Sequence, residues 1–147
     1  MFRFTPEEVR LEHWTERLFV ADDATARATK TALEAHFLAE WNDDIEGTME
    51  TMDPEAPFQR IPALGIEVRG PEAVRGYYLQ RFSSWPGPAM DRFDRATVVP
   101  DLVIVEGRLR ASGDAAVAAL SGPAVIVVEF RDGLILGETI HAAPAPR

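Results

Sequence analysis

The sequence predicts a single α+β domain, and three observations carry the prediction. Helical apolar stripes occupy the first part of the chain and strand-like runs the rest, an order that argues against an alternating parallel α/β sheet. Asp132-Gly133, set between two long apolar runs, is a strong two-residue hairpin signal. The 147 residues fit one domain, and we find no internal repeat, linker or domain boundary.

Thr5, Pro6 and Glu8 form a capping-box pattern with proline at the first helical position. Leu11, Trp14 and Leu18 follow at helical spacing, so residues 1–20 are read as an added N-terminal helix. Asp22-Asp23 caps a long helix with the stripe Leu33, Phe37, Trp41, and His36 and Glu40 lean to the same side. Asn42-Asp43-Asp44 ends it and caps a short helix through Thr48 and Met52, which Asp53-Pro54 stops. Residues 56–62 read as a short strand bounded by prolines, with Ile66-Glu67-Val68 as its continuation. Gly70-Pro71-Glu72 opens a helix through Val74, Tyr77, Tyr78 and Phe82. Residues 83–88 are a loop, and strands are expected over 91–99, 102–110, 118–130 and 134–141.

Composition narrows the functions. With 24 acids against 15 bases the formal charge is −9, which repels nucleic acid and anionic membrane surfaces. Neither is expected as a partner. With no cysteine, thiolate chemistry and Cys-ligated zinc are excluded. The bases are all Arg except Lys30, a composition that suggests a GC-rich bacterial genome. The N-terminus lacks the apolar core of a signal peptide, and no run is long enough to span a bilayer, so a cytoplasmic location is expected.

Several motifs in order resemble a known superfamily. They are Phe37-x-x-x-Trp41, Asp44, Phe58-Gln59-Arg60-Ile61-Pro62, Arg69-Gly70-x-Glu72-Ala73-Val74 and Tyr77-Tyr78, then a meander ending in Glu129-Phe130-Arg131-Asp132-Gly133-Leu134-Ile135. Over residues 26–142 the chain resembles the nuclear transport factor 2-like superfamily. The resemblance implies a cone: a curved antiparallel sheet wrapped around three helices, with an apolar pocket open at one end. It also implies a small apolar ligand and a homodimer through the outer sheet face.

The enzyme branches of that superfamily do not map cleanly. The limonene-epoxide-hydrolase branch has Tyr-x-Asn-x-Pro where this chain has Phe58 to Pro62, and Glu-Arg-x-Asp where it has Glu106-Gly107-Arg108-Leu109; its second Asp falls near Ile140. The water base and the epoxide acid are both lost. In the ketosteroid-isomerase branch the Asp base falls near Arg60, the oxyanion-hole Asp near Val128 and the oxyanion-hole Tyr near His36. Against the SnoaL-like polyketide cyclases, Glu138 falls near the His of the final-strand motif.

Three residues are therefore candidates for acid/base work. His36 lies within an apolar helical stripe and, as a histidine, titrates near neutrality; the plainer reading is a satisfied core histidine. Glu138 alternates with Leu134, Leu136 and Ile140, an acid on an apolar face; the plainer reading is an ion pair at the pocket mouth or dimer seam. Arg60 shares a strand face with Phe58, where a guanidinium would hold a carboxylate or enolate; the plainer reading pairs it with Glu67. Trp41, Phe58, Tyr78 and Ile140 are candidates for the ligand-binding wall. Glu106, Glu129 and His141 are read as pointing away from the cone interior.

No metal and no cofactor are expected. The six acids between residues 41 and 59 lack calcium-loop spacing, and His13, His36 and His141 form no sequence cluster. Both faces of the runs 102–105 and 125–130 are apolar, which argues for a homodimer covering the outer face. Two functions stand side by side: an acid/base enzyme of isomerase, cyclase or hydrolase type on an apolar carbonyl or ring compound, and a binding or interaction domain without chemistry.

Overall fold

Four consecutive antiparallel strands form the spine of the molecule: β4 (Met90–Val99), β5 (Leu102–Leu109), β6 (Gly122–Arg131) and β7 (Leu134–Ala142). The computed structural model describes residues 3–143. Register shifts in β4 near Phe93 and in β6 at Glu129/Phe130 bend the sheet, as bulges do. Asp132 and Gly133 both have positive φ, 53° and 79°, the geometry a two-residue hairpin between twisted strands requires.

Helix α2 (Ala24–Trp41) lies in the concave face. Asp23 caps it by accepting from the Ala26 amide, and Ala26, Leu33, His36, Phe37, Glu40 and Trp41 are all buried along one stripe. Asp44 caps the short α3 (Ile45–Glu50) in the same way. Helix α4 (Pro71–Ser84) starts on proline and buries Val74, Tyr78 and Arg81. These helices and the curved sheet form the expected cone.

Four details differ from the sequence reading. The N-terminal helix is only one turn long, α1 (Leu11–Trp14), and the chain then extends as β1 (Thr15–Val20), parallel to β4. The capping box does form, since Thr5 and Glu8 exchange bonds of 3.0 and 3.4 Å. The free edge of β4 captures the β-prone run from Thr15 to Val20, and Leu18 satisfies an inward strand position as readily as a helical stripe.

Next, Ile66–Arg69 is a separate strand, β3, which folds back antiparallel on β2 (Phe58–Ile61) after a tight turn at Pro62–Leu64 and Gly65. The sheet is also not wholly antiparallel: in the order β1-β4-β5-β6-β7-β2-β3, the β1–β4 and β2–β7 pairs are parallel. Finally, residues 115–118 form a helical turn, α5 (Ala115–Ala118), capped by Asp114, before β6 begins at Gly122.

Candidate functional site

The site is built from residues on α2, α4, β2 and β7. His36 on α2 is completely buried, and its Nε2 lies 2.9 Å from Glu138 Oε1 on β7 and 2.8 Å from Glu40 Oε2 one turn along α2. Its Nδ1 lies 2.7 Å from the Thr51 hydroxyl, which donates its own proton to the Thr48 carbonyl at 2.7 Å. The Thr51 oxygen therefore accepts, and Nδ1 carries a proton. Thr51 is itself pinned: its carbonyl accepts from the Ile135 amide, and Asp53 accepts from Arg131 across the same hairpin.

The electrostatics close around this pair. Burial pulls the His36 pKa down, but hydrogen bonds and Coulomb attraction from Glu138 and Glu40 outweigh it and raise it to about 9. Burial acts to raise the Glu40 pKa, but Arg81 and His36 outweigh it and hold it below the ordinary carboxylate range. Arg81 reaches Glu40 Oε1 at 3.2 Å while donating to the Trp85 and Gly87 carbonyls at 2.9 and 2.8 Å. Two carboxylates thus face one imidazolium and one guanidinium, and the buried charges balance.

Tyr78 from α4 donates to Glu138 Oε1 at 3.1 Å, with His36 Nε2 at 3.4 Å and Gln59 Oε1 at 3.5 Å. Burial, then the nearby carboxylates, push its phenol well above the usual range, so it stays protonated and donates. Glu138 Oε1 is therefore held by two donors. Its Oε2 makes no hydrogen bond among the described residues, and the Glu138 side chain lines a cavity.

That cavity has an apolar wall of Phe37, Trp41, Met90, Phe93, Ile126 and Ile140. Gln59, Tyr77, Tyr78, Arg81, Glu40 and Glu138 supply its polar side. Its volume is about 20 Å³, enough for one water molecule.

The structure brings His36 and Glu138 together and lines the cavity with Trp41, Tyr78 and Ile140. Arg60 and Phe58 are not there. They share the opposite face of β2, and Gln59 takes the inward position instead. Phe58 is buried on the outside, over Gly137 and under the Arg69 guanidinium 5.5 Å from its ring. Arg60 makes no ion pair among the described residues, because Glu67 is taken by Arg69. Glu106 pairs with Arg95, and His141 is exposed, both on the outer face as read.

Sequence reasoning gave no role to Glu40, Arg81 or Gln59. The signal for Glu40 was present: it is four residues from His36 on the same apolar stripe. Arg81 likewise falls in phase with Val74 and Tyr78 on α4.

Among the described residues, His36, Glu40 and Glu138 form the cluster that could hold a metal ion, with ligand atoms within 4.8 Å of one another. They fit a proton better. An ion would have to displace the His36 proton, and Arg81 already neutralises Glu40.

Comparison with protein families matches residues 33–137 to the SnoaL-like domain. The chain belongs to the SnoaL-like domain family. The match begins at Leu33 and ends at Gly137, so the second half of α2, with His36 and Glu40, and most of the sheet lie within the family domain.

Solved structures agree on the fold. An NTF-2-like protein of unknown function from Burkholderia xenovorans LB400 superposes with a TM-score of 0.61 at 20% identity, covering 85% of this chain and 90% of that one. A polyketide cyclase candidate from Sinorhizobium meliloti gives 0.58 at 15% identity, over 74% and 92% of the two chains. A ketosteroid isomerase candidate from Kribbella flavida DSM 17836 gives 0.57 at 17% identity, over 82% of each. Among curated proteins, none matches this SnoaL-like chain. No described helix is long and apolar enough to cross a membrane.

Proposed function

We propose that the protein is an acid/base enzyme of isomerase, cyclase or hydrolase type acting on a small apolar carbonyl or ring compound. The observation that carries this reading is Glu138: one carboxylate oxygen is fixed by His36 and Tyr78, the other makes no hydrogen bond among the described residues, and the side chain lines a cavity with a large apolar wall. A carboxylate so held can take a proton from a substrate carbon or hydroxyl, or from one water, and return it. His36 is a positioning residue, since its Nε2 is engaged by the carboxylates. Tyr78, kept protonated by burial, donates to the developing oxyanion when Glu138 turns toward substrate. Arg60 has no part in this reading.

The named neighbours support the reaction class at the level of the fold only. The competing function is ligand binding without turnover, favoured by a cavity that holds one water at rest. A thermal-shift screen of hydroxylated aromatics, steroids and terpenoid epoxides separates the two. Turnover of a hit by the wild type, lost in Glu138→Gln while the shift persists, supports catalysis. Binding of every hit without turnover leaves the binding module.

Assembly belongs to the same proposal. The outer sheet face carries Ile104, Val125 and Val127 at half burial, and Phe19 is 57% exposed beside it. We read this face as a homodimer interface in a cytoplasmic protein. Light scattering should give twice the 16.3 kDa chain mass; a monomer at micromolar concentration would refute it.

A further inference from the structure

A second cavity, of about 90 Å³, lies beside the first. Ile61, Leu64, Ile66 and Val117 make its apolar wall. Two residues, Tyr77 and Arg81, border both cavities and form the partition between them. They differ in how they are held. Three hydrogen bonds fix Arg81, and its guanidinium lies 5.0 Å over the Trp85 ring. Tyr77 makes no hydrogen bond among the described residues; ring packing against Tyr78 at 5.2 Å is its specific contact. The partition therefore has one post fixed by hydrogen bonds and one side chain held by packing alone.

The far side of the catalytic cavity is closed. Phe37 stacks on Trp41 at 4.8 Å, and Trp14 covers Trp41 at 4.3 Å. Phe4 packs on both tryptophans, and the Asn42 side chain grips the Phe4 backbone with two hydrogen bonds of 2.7 and 3.0 Å.

We propose that the second cavity is the binding chamber for the body of the substrate, and that Tyr77 is the movable wall whose rotation joins it to Glu138. This deepens the proposed acid/base function by naming the chamber and ligand class. The chamber suits a neutral ring compound bearing an acceptor oxygen. Ile61, Leu64, Ile66 and Val117 give it an aliphatic side, and the buried Nε1 of Trp85, which also lines it, has no hydrogen-bond partner among the described residues. The charges next to it sum to zero, so nothing there selects an ion.

The test uses 2-naphthol as a neutral ring probe, titrated by fluorescence into the full chain and its variants. Tyr77→Ala removes the wall and should tighten binding at least fivefold, whereas Val117→Trp fills the chamber and should abolish it. Asn42→Ala loosens the opposite side and should leave affinity within twofold. Circular dichroism checks folding, and Tyr77→Leu replaces Tyr77→Ala if the latter unfolds. The proposal is overturned if no protein binds the probe, if Val117→Trp leaves affinity unchanged, or if Asn42→Ala tightens binding and the Tyr77 variant does not. Because the readout is naphthol binding, absence of turnover in the Glu138 experiment does not affect it.

Discussion

Raising the pH should destabilise this protein through a single buried group. His36 has its pKa raised from 6.5 to about 9, so the folded state binds its proton more tightly than the unfolded chain does. Such a group contributes its full stability below about 6.5 and loses it as pH rises through about 9. At about 1.4 kcal/mol per pH unit, that interval is worth roughly 3 kcal/mol, a large part of the ~5–15 kcal/mol of a typical domain. Burial opposes the shift, and Glu138 from β7 and Glu40 from the same helix set it; the Tyr78 hydroxyl from α4 and, beside Glu40, Arg81 also face the ring. The site titration is read by NMR on the His36 Cε1 proton, assigned by its loss in His36→Gln. Urea unfolding of the wild type from pH 6 to pH 10 reads the stability. The expected results are an imidazole midpoint well above 6.5 and an unfolding free energy that falls across that window. A midpoint at or below 6.5, or a flat stability profile to pH 9, would refute the balance of burial and charge argued for this cluster.

Two further substitutions probe the frame around the site. Arg81→Leu removes the partner of Glu40 Oε1 and the donor to the Trp85 and Gly87 carbonyls, leaving His36 as the one cation beside two buried carboxylates, and should cost about 3–5 kcal/mol by denaturant unfolding. Adding Glu40→Gln should recover part of that loss, and no recovery would mean that the pair is not coupled. Gly133→Val forces a β-branched residue to φ 79° at the β6–β7 turn and should cost about 1–3 kcal/mol, read as a lowered thermal midpoint.

The fold was legible where one signal excluded its rivals. Asp23 and Asp44 had only helix starts to cap, and Asp132-Gly133 had only a hairpin to make. The N-terminal segment had no such exclusivity. Leu11, Trp14 and Leu18 satisfy a helical stripe, yet the outcome was decided by the open edge of β4, a strand far along the chain. Local pattern cannot anticipate a backbone ladder supplied by a distant partner.

The site divides along the same line. His36 and Glu138 were visible because each is a polar residue in phase with an apolar face, and a polar group in such a place needs a partner. Which partner it finds depends on the topology that carries β7 across α2, and no spacing between residues separated by about a hundred positions encodes that. Arg60 failed for a different reason. Phe58 is buried, so its strand face looked like the inner one, but Gly137 on the neighbouring strand offers no side chain and Arg69 lies over the ring. The aromatic fills a notch on the outer surface, and Arg60 follows it outward. Burial of one residue fixes the face of a strand only when just one side of the sheet can bury it, and here both sides could.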